Sequence, residues 1–244
     1  GLRRSKRKRS AGDDGNGVGQ ATKQARLDAS GLHTEGLDWY FGNNFRVKDE
    51  RRGQLLIEAA AEQGEACAEA DCIYRGWGGR DEDEEEAFKR FLELSEKEGH
   101  VEAMNMTGHC YYFGKGVAVD KETAVEWWTK AAEQGHIDAQ CNLGACYDNG
   151  QGVAVDREKA VEWWTKAAKK GNNNAQFGIG VCYDDGEGVV VDKEKAVEWY
   201  TKAAEQGNIY AQCNLGVRYK RGVGVTMDKE KAVEWFTKAA EQGN

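Results

Sequence analysis

The chain contains few of the side chains from which enzymes build a catalytic site. It has four serines, and Ser5 begins a Ser-Lys-Arg-Lys run that matches the S-x-x-K pattern of acyl-transferring serine enzymes. That run lies in a strongly basic segment, where no neighbouring element is expected to supply an oxyanion hole. The four histidines form no H-E-x-x-H pattern, and there is no C-x-x-C pair for zinc. We therefore predict no catalytic site, no metal site and no cofactor.

The seven cysteines are the remaining reactive side chains. Cys110, Cys146 and Cys182 recur every 36 residues, and Cys141 and Cys213 are 72 residues apart, so a repeat sets their positions. Cys141 and Cys146 lie on one predicted helix, about 140° apart around its axis and about 7.5 Å apart along it, which a disulfide cannot span. We predict small buried thiols in a reducing compartment.

Charge divides the chain into two parts. Residues 1–28 carry eight Lys or Arg and three Asp, whereas the rest is acidic and brings the formal net charge to −8. The first part lacks apolar periodicity, so we predict a disordered basic arm. Its residues Lys6, Arg7, Lys8 and Arg9 form a candidate nuclear-import motif, with a non-specific solubilising tail as the alternative. The acidic body argues against nucleic acid as the main target.

A segment close to AVEWWTKAAEQG occurs four times, always 36 residues apart, and two weaker copies precede these four. Repetition at this period is typical of arrays in which each unit packs only on its neighbours. We therefore predict a single repeat domain, residues 29–244, after the arm. Its six units are about 29–64, 65–100, 101–136, 137–172, 173–208 and 209–244.

Each unit is expected to contain two helices, so the predicted fold class is all-α. In the unit 137–172, Ala139, Leu143 and Tyr147 recur at helical spacing, and Asp156 is placed to cap a second helix. That second helix carries two neighbouring apolar stripes. One can pack on the first helix of the same unit and the other on the adjoining unit, so we expect neighbouring units to stabilise one another.

Two recurring residue types are assigned to helix packing. One tryptophan in each of the four clear units is expected to fill the space between close-set alanines. These tryptophans are Trp127, Trp163, Trp199 and Trp235. One glycine interrupts each first helix, although glycine costs about 1 kcal/mol of helix propensity relative to alanine, which indicates a crossing point where no Cβ fits. These glycines are Gly108, Gly144, Gly180 and Gly216.

The pattern A-x3-L-G-x2-Y-x2-G-x-G-V-x2-D-x3-A-x2-W-x3-A-A-x2-G resembles the Sel1-like repeat, a relative of the tetratricopeptide repeat. The resemblance covers residues 29–244. The Gly150-Gln151-Gly152-Val153 turn and the longer period distinguish it from the proline-punctuated 34-residue tetratricopeptide unit. The resemblance implies a right-handed α-solenoid of helical hairpins whose first helices line a concave surface. It also implies a non-catalytic adaptor that assembles protein complexes.

The resemblance leaves two other functions open. Some cysteine-rich relatives have been assigned β-lactamase-like hydrolase activity, although the paired cysteines expected of them are missing here. Other members act in endoplasmic-reticulum quality control, which would require a signal upstream of Gly1. No apolar run reaches the length of a membrane-spanning helix. We predict a cytoplasmic or nuclear adaptor that binds a protein or peptide, with an endoplasmic-reticulum location as the alternative.

Comparison of the four clear units separates constant from variable positions on the first helix. The variable positions are three, four and three residues apart, which places them on one helical face. If first helices line the concave surface, these side chains form its floor. An acidic strip with scattered aromatic rings suits an extended peptide with basic residues, and a solvated face without a ligand is the alternative. The sixteen residues are Glu102, Asn105, His109, Tyr112, Asp138, Cys141, Ala145, Asp148, Asn174, Phe177, Val181, Asp184, Tyr210, Cys213, Val217 and Lys220.

Two stretches depart from the repeat. Arg218 stands where the three preceding units have cysteine, and a charge there predicts that this face of the last unit is uncovered. The acidic run Asp81–Glu86 replaces the usual turn of the second unit. Its last three residues would adjoin a helix N-terminus, which favours negative charge. We expect a solvated acidic loop there, with a weak site for calcium or a basic partner as the alternative.

Overall fold

The computed structural model of the chain describes residues 28–41 and 49–242. The basic arm, predicted to be disordered, and its import motif Lys6–Arg9 lie outside these ranges. Within them the chain forms twelve α-helices and no β-strand, and a π-helical turn, Leu94–Glu98, extends one helix. The helices are α1 (Ala29–Phe41), α2 (Glu50–Glu62), α3 (Ala66–Arg75), α4 (Glu84–Glu93), α5 (Val101–Phe113), α6 (Lys121–Glu133), α7 (Ile137–Asn149), α8 (Arg157–Lys169), α9 (Asn173–Asp185), α10 (Lys193–Glu205), α11 (Ile209–Arg221) and α12 (Lys229–Gln242).

Consecutive helices pack on one another from α1 to α12, which confirms the predicted all-α array of helix pairs. In the four clear units the first helices are α5, α7, α9 and α11, and the second helices are α6, α8, α10 and α12. Each second helix therefore packs on the first helix of its own unit, and α6, α8 and α10 also pack on the first helix of the following unit.

Aspartate caps and glycine turns set the helix ends. The predicted cap Asp156 accepts a hydrogen bond from the Lys159 N–H at 3.0 Å, and α8 follows directly. Gly150 ends α7 in the left-handed region at φ 66°. Gly152 lies against the Lys121 carbonyl of the preceding unit, where an added Cβ would overlap the backbone. The Gly-x-Gly turn thus allows close contact between units.

The acidic run of the second unit also behaves as a helix start. Asp83 accepts a hydrogen bond from the Glu86 N–H at 3.0 Å and caps α4. Asp81 and Glu82 are exposed, and the first turn of α4 consists of three glutamates. Negative charge at this helix end is favoured by the helix dipole.

The apolar core is shared between units. One cluster combines Trp164 and three alanines of α8 with Ala175, Ile179 and Cys182 of α9, which belongs to the next unit. Trp163 faces the other way and packs against the cluster that surrounds Trp128 in the preceding unit. Because each cluster needs residues of two units, the hairpins stabilise one another.

Each clear repeat has two adjacent aromatic residues in its second helix, such as Trp163 and Trp164. The second residue of the pair packs against the glycine in the first helix. An added Cβ would lie 2.7 Å from Trp128 Cδ1 at Gly108 and 2.6 Å from Tyr200 Cδ1 at Gly180. Of the four tryptophans that the sequence assigned to packing, Trp127 is buried as predicted. The other three, Trp163, Trp199 and Trp235, are only half-buried, whereas Trp164 and Tyr200 are buried. The lysine three residues after each first tryptophan lies over its ring, as Lys166 Nζ does 3.7 Å from the Trp163 centroid.

Candidate functional site

An open cleft of about 830 Å³ lies along the N-terminal halves of α5, α7 and α9. The end of α3 and two residues of α1, Thr34 and Leu37, complete its wall. Six of the sixteen side chains predicted for the concave floor line this cleft. They are Glu102, Asn105, His109, Asp138, Cys141 and Asn174.

A series of side-chain hydrogen bonds, which we call the cap ladder (His136, Asn172 and Asn208), connects the starts of consecutive first helices. Asn172 caps α9 by accepting from the Ala175 N–H at 2.9 Å, and its Nδ2 donates to Asp138 Oδ1 of α7 at 3.0 Å. Asn208 caps α11 in the same way and donates to Asn174 Oδ1 at 3.0 Å. The cap residue of each first helix therefore also fixes a cleft residue on the first helix before it.

His136 makes the corresponding contacts one unit earlier. Its Nδ1 accepts from the Ala139 N–H at 3.2 Å, and its Nε2 lies 2.8 Å from Glu102 Oε2. The proton on Nε2 lies towards Glu102, and although burial opposes protonation, the charge and hydrogen bond of Glu102 raise the pKa of His136. Burial opposes ionisation of Glu102, but its contacts with His136 lower the pKa of Glu102 to about 2. Glu102 is thus a stable negative charge at the cleft wall.

A buried histidine joins the first two hairpins beside this cleft. His33 of α1 places Nε2 2.6 Å from Asp71 Oδ2 and Nδ1 3.1 Å from Glu65 Oε2. Burial alone would lower the pKa of His33, but the hydrogen bonds to the two carboxylates raise it to about 10. His33 is therefore an imidazolium at neutral pH, and His100 lies on the other side of Glu65 at 3.4 Å.

Two polar side chains of α5 have atoms that the described residues leave without a hydrogen bond. The Nδ2 of Asn105 donates to Glu102 Oε1 at 3.4 Å, but its buried Oδ1 has no partner among the described residues. The Nδ1 of His109 is likewise buried without a partner there. Burial, with the charges of Arg75 and Lys115, lowers the pKa of His109 to about 4, so the ring is neutral at pH 7. Both atoms are shielded from solvent, so they lie within the cleft wall and not on its open surface.

The other ten predicted floor residues lie outside the cleft lining and differ widely in exposure. Tyr112 packs against Trp128 and donates a hydrogen bond to Gln151, and Phe177 stacks between Tyr200 and Tyr210, with centroids 5.8 Å apart in both pairs. Half-buried or buried are Tyr112, Asp148, Phe177, Val181, Asp184 and Val217. Exposed are Ala145, Tyr210, Cys213 and Lys220. Only the exposed ones are free to meet a partner without repacking.

The predicted uncovered face at Arg218 is wrong. The guanidinium of Arg218 pairs with Asp184 of the preceding unit, and Lys193 Nζ lies 2.7 Å from the same carboxylate. The Arg218 side chain is 16% exposed. The pairing with the acid of the preceding unit accommodates an arginine at a position where the other units have a buried cysteine.

The described chain shows little that could carry catalysis. All seven cysteines are free, and five of them are buried. Burial raises the pKa of Cys141, the thiol that lines the cleft, to about 12, so it stays protonated. Within residues 28–41 and 49–242, no three His, Cys, Asp or Glu side chains are placed so that they could hold a metal ion together. In the same ranges, no helix is long and apolar enough to cross a membrane.

Sequence reasoning missed several residues of the cleft. Tyr74 and Arg75 come from the end of α3, in a unit whose repeat pattern is weak, and Lys170 comes from the boundary before α9. The sequence does contain a pattern that indicates the cap ladder: a glycine followed by His or Asn recurs at each boundary between the clear units. Its link to the preceding unit depends on how the helices are stacked.

Twelve helices in consecutive contact, with a cleft along successive first helices, define an α-solenoid repeat protein. More specifically, the chain belongs to the Sel1 repeat family. The family description "Sel1 repeat" matches residues 101–136, 137–172, 173–208 and 209–244, which is more than half of the chain. Sel1 repeats mediate protein–protein interactions, and proteins built from them are typically non-catalytic scaffolds.

Two solved structures are similar to this chain. A protective antigen of uropathogenic Escherichia coli with the Sel1-like-repeat fold is 33% identical at a TM-score of 0.68, over 89% of this chain and 46% of that one. A Sel1 repeat protein from Oxalobacter formigenes is 32% identical at a TM-score of 0.67, over 90% of this chain and 64% of that one. The chain thus spans about half to two-thirds of these relatives. A search among curated proteins gave no match.

Proposed function

We propose that this protein is a non-catalytic adaptor that binds an extended segment of a partner protein along its first helices, in the cytoplasm or nucleus. The observation that carries the proposal is the cleft of about 830 Å³, whose walls come from five successive units. A partner segment in that cleft would contact several units at once, as is typical of solenoid surfaces.

The residues that line the cleft suit a peptide that forms hydrogen bonds through its backbone and ion pairs through basic side chains. Asn142 is half-buried and Asn174 exposed in the cleft lining, and their amide groups can form hydrogen bonds with a peptide backbone. Glu102 and Asp138 supply negative charge for basic side chains of the peptide, and Arg75 and Lys170 of the same lining supply positive charge. Val101, Met106 and neighbouring apolar side chains supply contact area.

Selection from a random twelve-residue peptide library against the whole chain tests this proposal. Asn174→Arg places a bulky cation at the cleft rim, and Asn149→Arg makes the same change at the exposed end of α7, outside the cleft lining. Selected peptides are expected to be rich in Lys or Arg and to lose at least tenfold in affinity with Asn174→Arg alone. Equal binding to both variants and the unaltered chain would contradict the cleft as the binding site.

A further inference from the structure

Histidine caps two of the first helices that line the cleft, whereas the units that follow use asparagine. His100 caps α5 and His136 caps α7, and in both the ring Nδ1 accepts a hydrogen bond from a backbone N–H. Asn172 and Asn208 cap α9 and α11 through their side-chain oxygens. Asparagine has no side-chain proton that titrates near neutral pH, and histidine has one. The two kinds of cap therefore respond differently to pH.

The geometry of His136 sets two of its contacts against each other. Its Nε2 lies 2.8 Å from Glu102 Oε2, a contact that favours the imidazolium. Its Nδ1 accepts from the Ala139 N–H at 3.2 Å, which requires the neutral ring, because a protonated Nδ1 has no lone pair to offer. Protonation of His136 therefore adds a positive charge to the cleft wall and removes the hydrogen bond that caps α7.

The charges that face His136 come from three places in the fold. Glu102 lies on α5, Asp138 on α7 itself, and Lys170 directly after α8. Burial opposes protonation of His136, but the charge and hydrogen bond of Glu102, together with the charge of Asp138, raise its pKa above the ordinary value. Lys170 acts in the opposite direction. His136 therefore carries its extra proton at mildly acidic pH and loses it as the pH rises.

We propose that His136 makes the cleft release a basic side chain of its partner as the pH falls, which rests on the function proposed above and adds its regulation. At mildly acidic pH the imidazolium neutralises Glu102 and repels a lysine or arginine beside it. At higher pH the neutral ring leaves the charge of Glu102 to the partner. By linkage, a bound basic side chain lowers the pKa of His136 and expels its proton.

Three other groups near the cleft keep their charge across the range from pH 5.5 to 8.5. Contacts with His136 outweigh burial and lower the pKa of Glu102 to about 2. Burial lowers the pKa of His109 to about 4, and hydrogen bonds to two carboxylates outweigh burial and raise that of His33 to about 10. The histidine caps are therefore the groups to vary.

The affinity of the whole chain for a peptide, measured at two pH values, tests the proposal. A Lys- and Arg-containing peptide from the library selection is used, acetylated, amidated and free of His, Asp, Glu and Cys, so that it does not titrate itself. We expect its Kd to rise about three- to tenfold from pH 8.5 to pH 5.5, as one added charge near the site allows. His136→Asn, which copies the cap of α9, should reduce this rise to about twofold or less. His100→Asn, the matched change one first helix earlier, should leave the rise within about twofold of its original size.

Two results would overturn the proposal and leave the cleft as the binding site. One is a Kd that is equal at both pH values. The other is a pH-dependent Kd that His136→Asn does not alter while circular dichroism shows an intact fold. Nuclear magnetic resonance of the His136 ring adds a separate check, because saturating peptide should lower its pKa, and an unchanged or higher pKa would also contradict the proposal. Absence of binding at either pH would contradict the proposed function itself, and the regulation with it.

Discussion

The indole of Trp164 lies directly against Gly144, so closely that an added Cβ at the glycine would overlap the ring. The same indole donates from Nε1 to the Cys141 carbonyl at 3.1 Å and contacts Gly178 of the following unit. One side chain thus joins the two helices of its own hairpin and also reaches the next hairpin. This contact is the basis of the interlocked array that forms the cleft.

Replacing the second aromatic residue should cost more than replacing the first. Trp164→Ala removes a buried ring and its hydrogen bond, so we expect a loss of about 3–5 kcal/mol in the free energy of unfolding. Trp163→Ala removes a half-buried ring and should cost clearly less. Urea unfolding of both variants measures the difference, and a larger loss for Trp163→Ala would contradict the assigned packing.

Adding a single methyl group at the crossing should also destabilise the array. Gly144→Ala gains helix propensity of about 1 kcal/mol, yet we expect net destabilisation by about 1–3 kcal/mol, because the Trp164 ring must move. Gly135→Ala cannot serve as a control, because Gly135 has a positive φ of 92°, a backbone conformation that alanine rarely adopts. Thermal melts that show Gly144→Ala as stable as the unaltered chain would refute the close contact.

The cap ladder gives a graded series at one position. Asn172→Ala loses both the Ala175 cap and the Asp138 hydrogen bond, and we expect a cost of about 1–2 kcal/mol. Asn172→Asp keeps the cap but places a second carboxylate beside Asp138, so its cost should grow as ionic strength falls. Asn172→His copies the residue found at position 136 and should cost least. Chemical unfolding at two salt concentrations checks this order.

The pair between Asp184 and Arg218 should be measurable by a double-mutant cycle. Arg218→Cys restores the residue of the other units but leaves Asp184 with Lys193 alone, and we expect a loss of about 1–3 kcal/mol. The same change with Asp184→Asn already present should cost less. Additive losses would show that the two residues do not interact.

Stability should depend on pH through His33. A group whose pKa is raised on folding stabilises the folded state fully below its unfolded pKa of 6.5 and loses that effect as the pH rises towards its folded pKa, here about 10. His33→Gln should therefore cost about 3 kcal/mol at pH 6 and much less at pH 10. Parallel stability curves for the two proteins between pH 6 and 10 would argue against a charged His33.

Much of the fold was predictable because it depends on residues close together in sequence. Asp156 as a cap, Gly150 as a helix end and the 36-residue unit follow from local rules of capping and spacing. The partners of Asn172 and Arg218 were not predictable in that way. Each lies 34 residues from its partner, which is on the preceding first helix, so the contact depends on how the helix pairs stack.

The cleft was also predicted only in part, because only some of its residues follow from local sequence patterns. The variable face of the first helices identified Asn105 and Cys141, because both follow from helical periodicity within clear repeats. It did not identify Arg75, which comes from a degenerate unit, or Leu37, which lies two units before α5. Such residues join the wall only through the three-dimensional stacking of hairpins.

The most direct test of the account is to map where a selected peptide lies. A peptide from the library selection that carries a benzophenone group is photo-cross-linked to the whole chain, and mass spectrometry identifies the residues attached. We predict cross-links within α5, α7 and α9, near Asn105, Cys141 and Asn174, and a loss of these cross-links with Asn174→Arg. Cross-links confined to the second helices α6, α8 and α10 would contradict a partner site formed by the first helices.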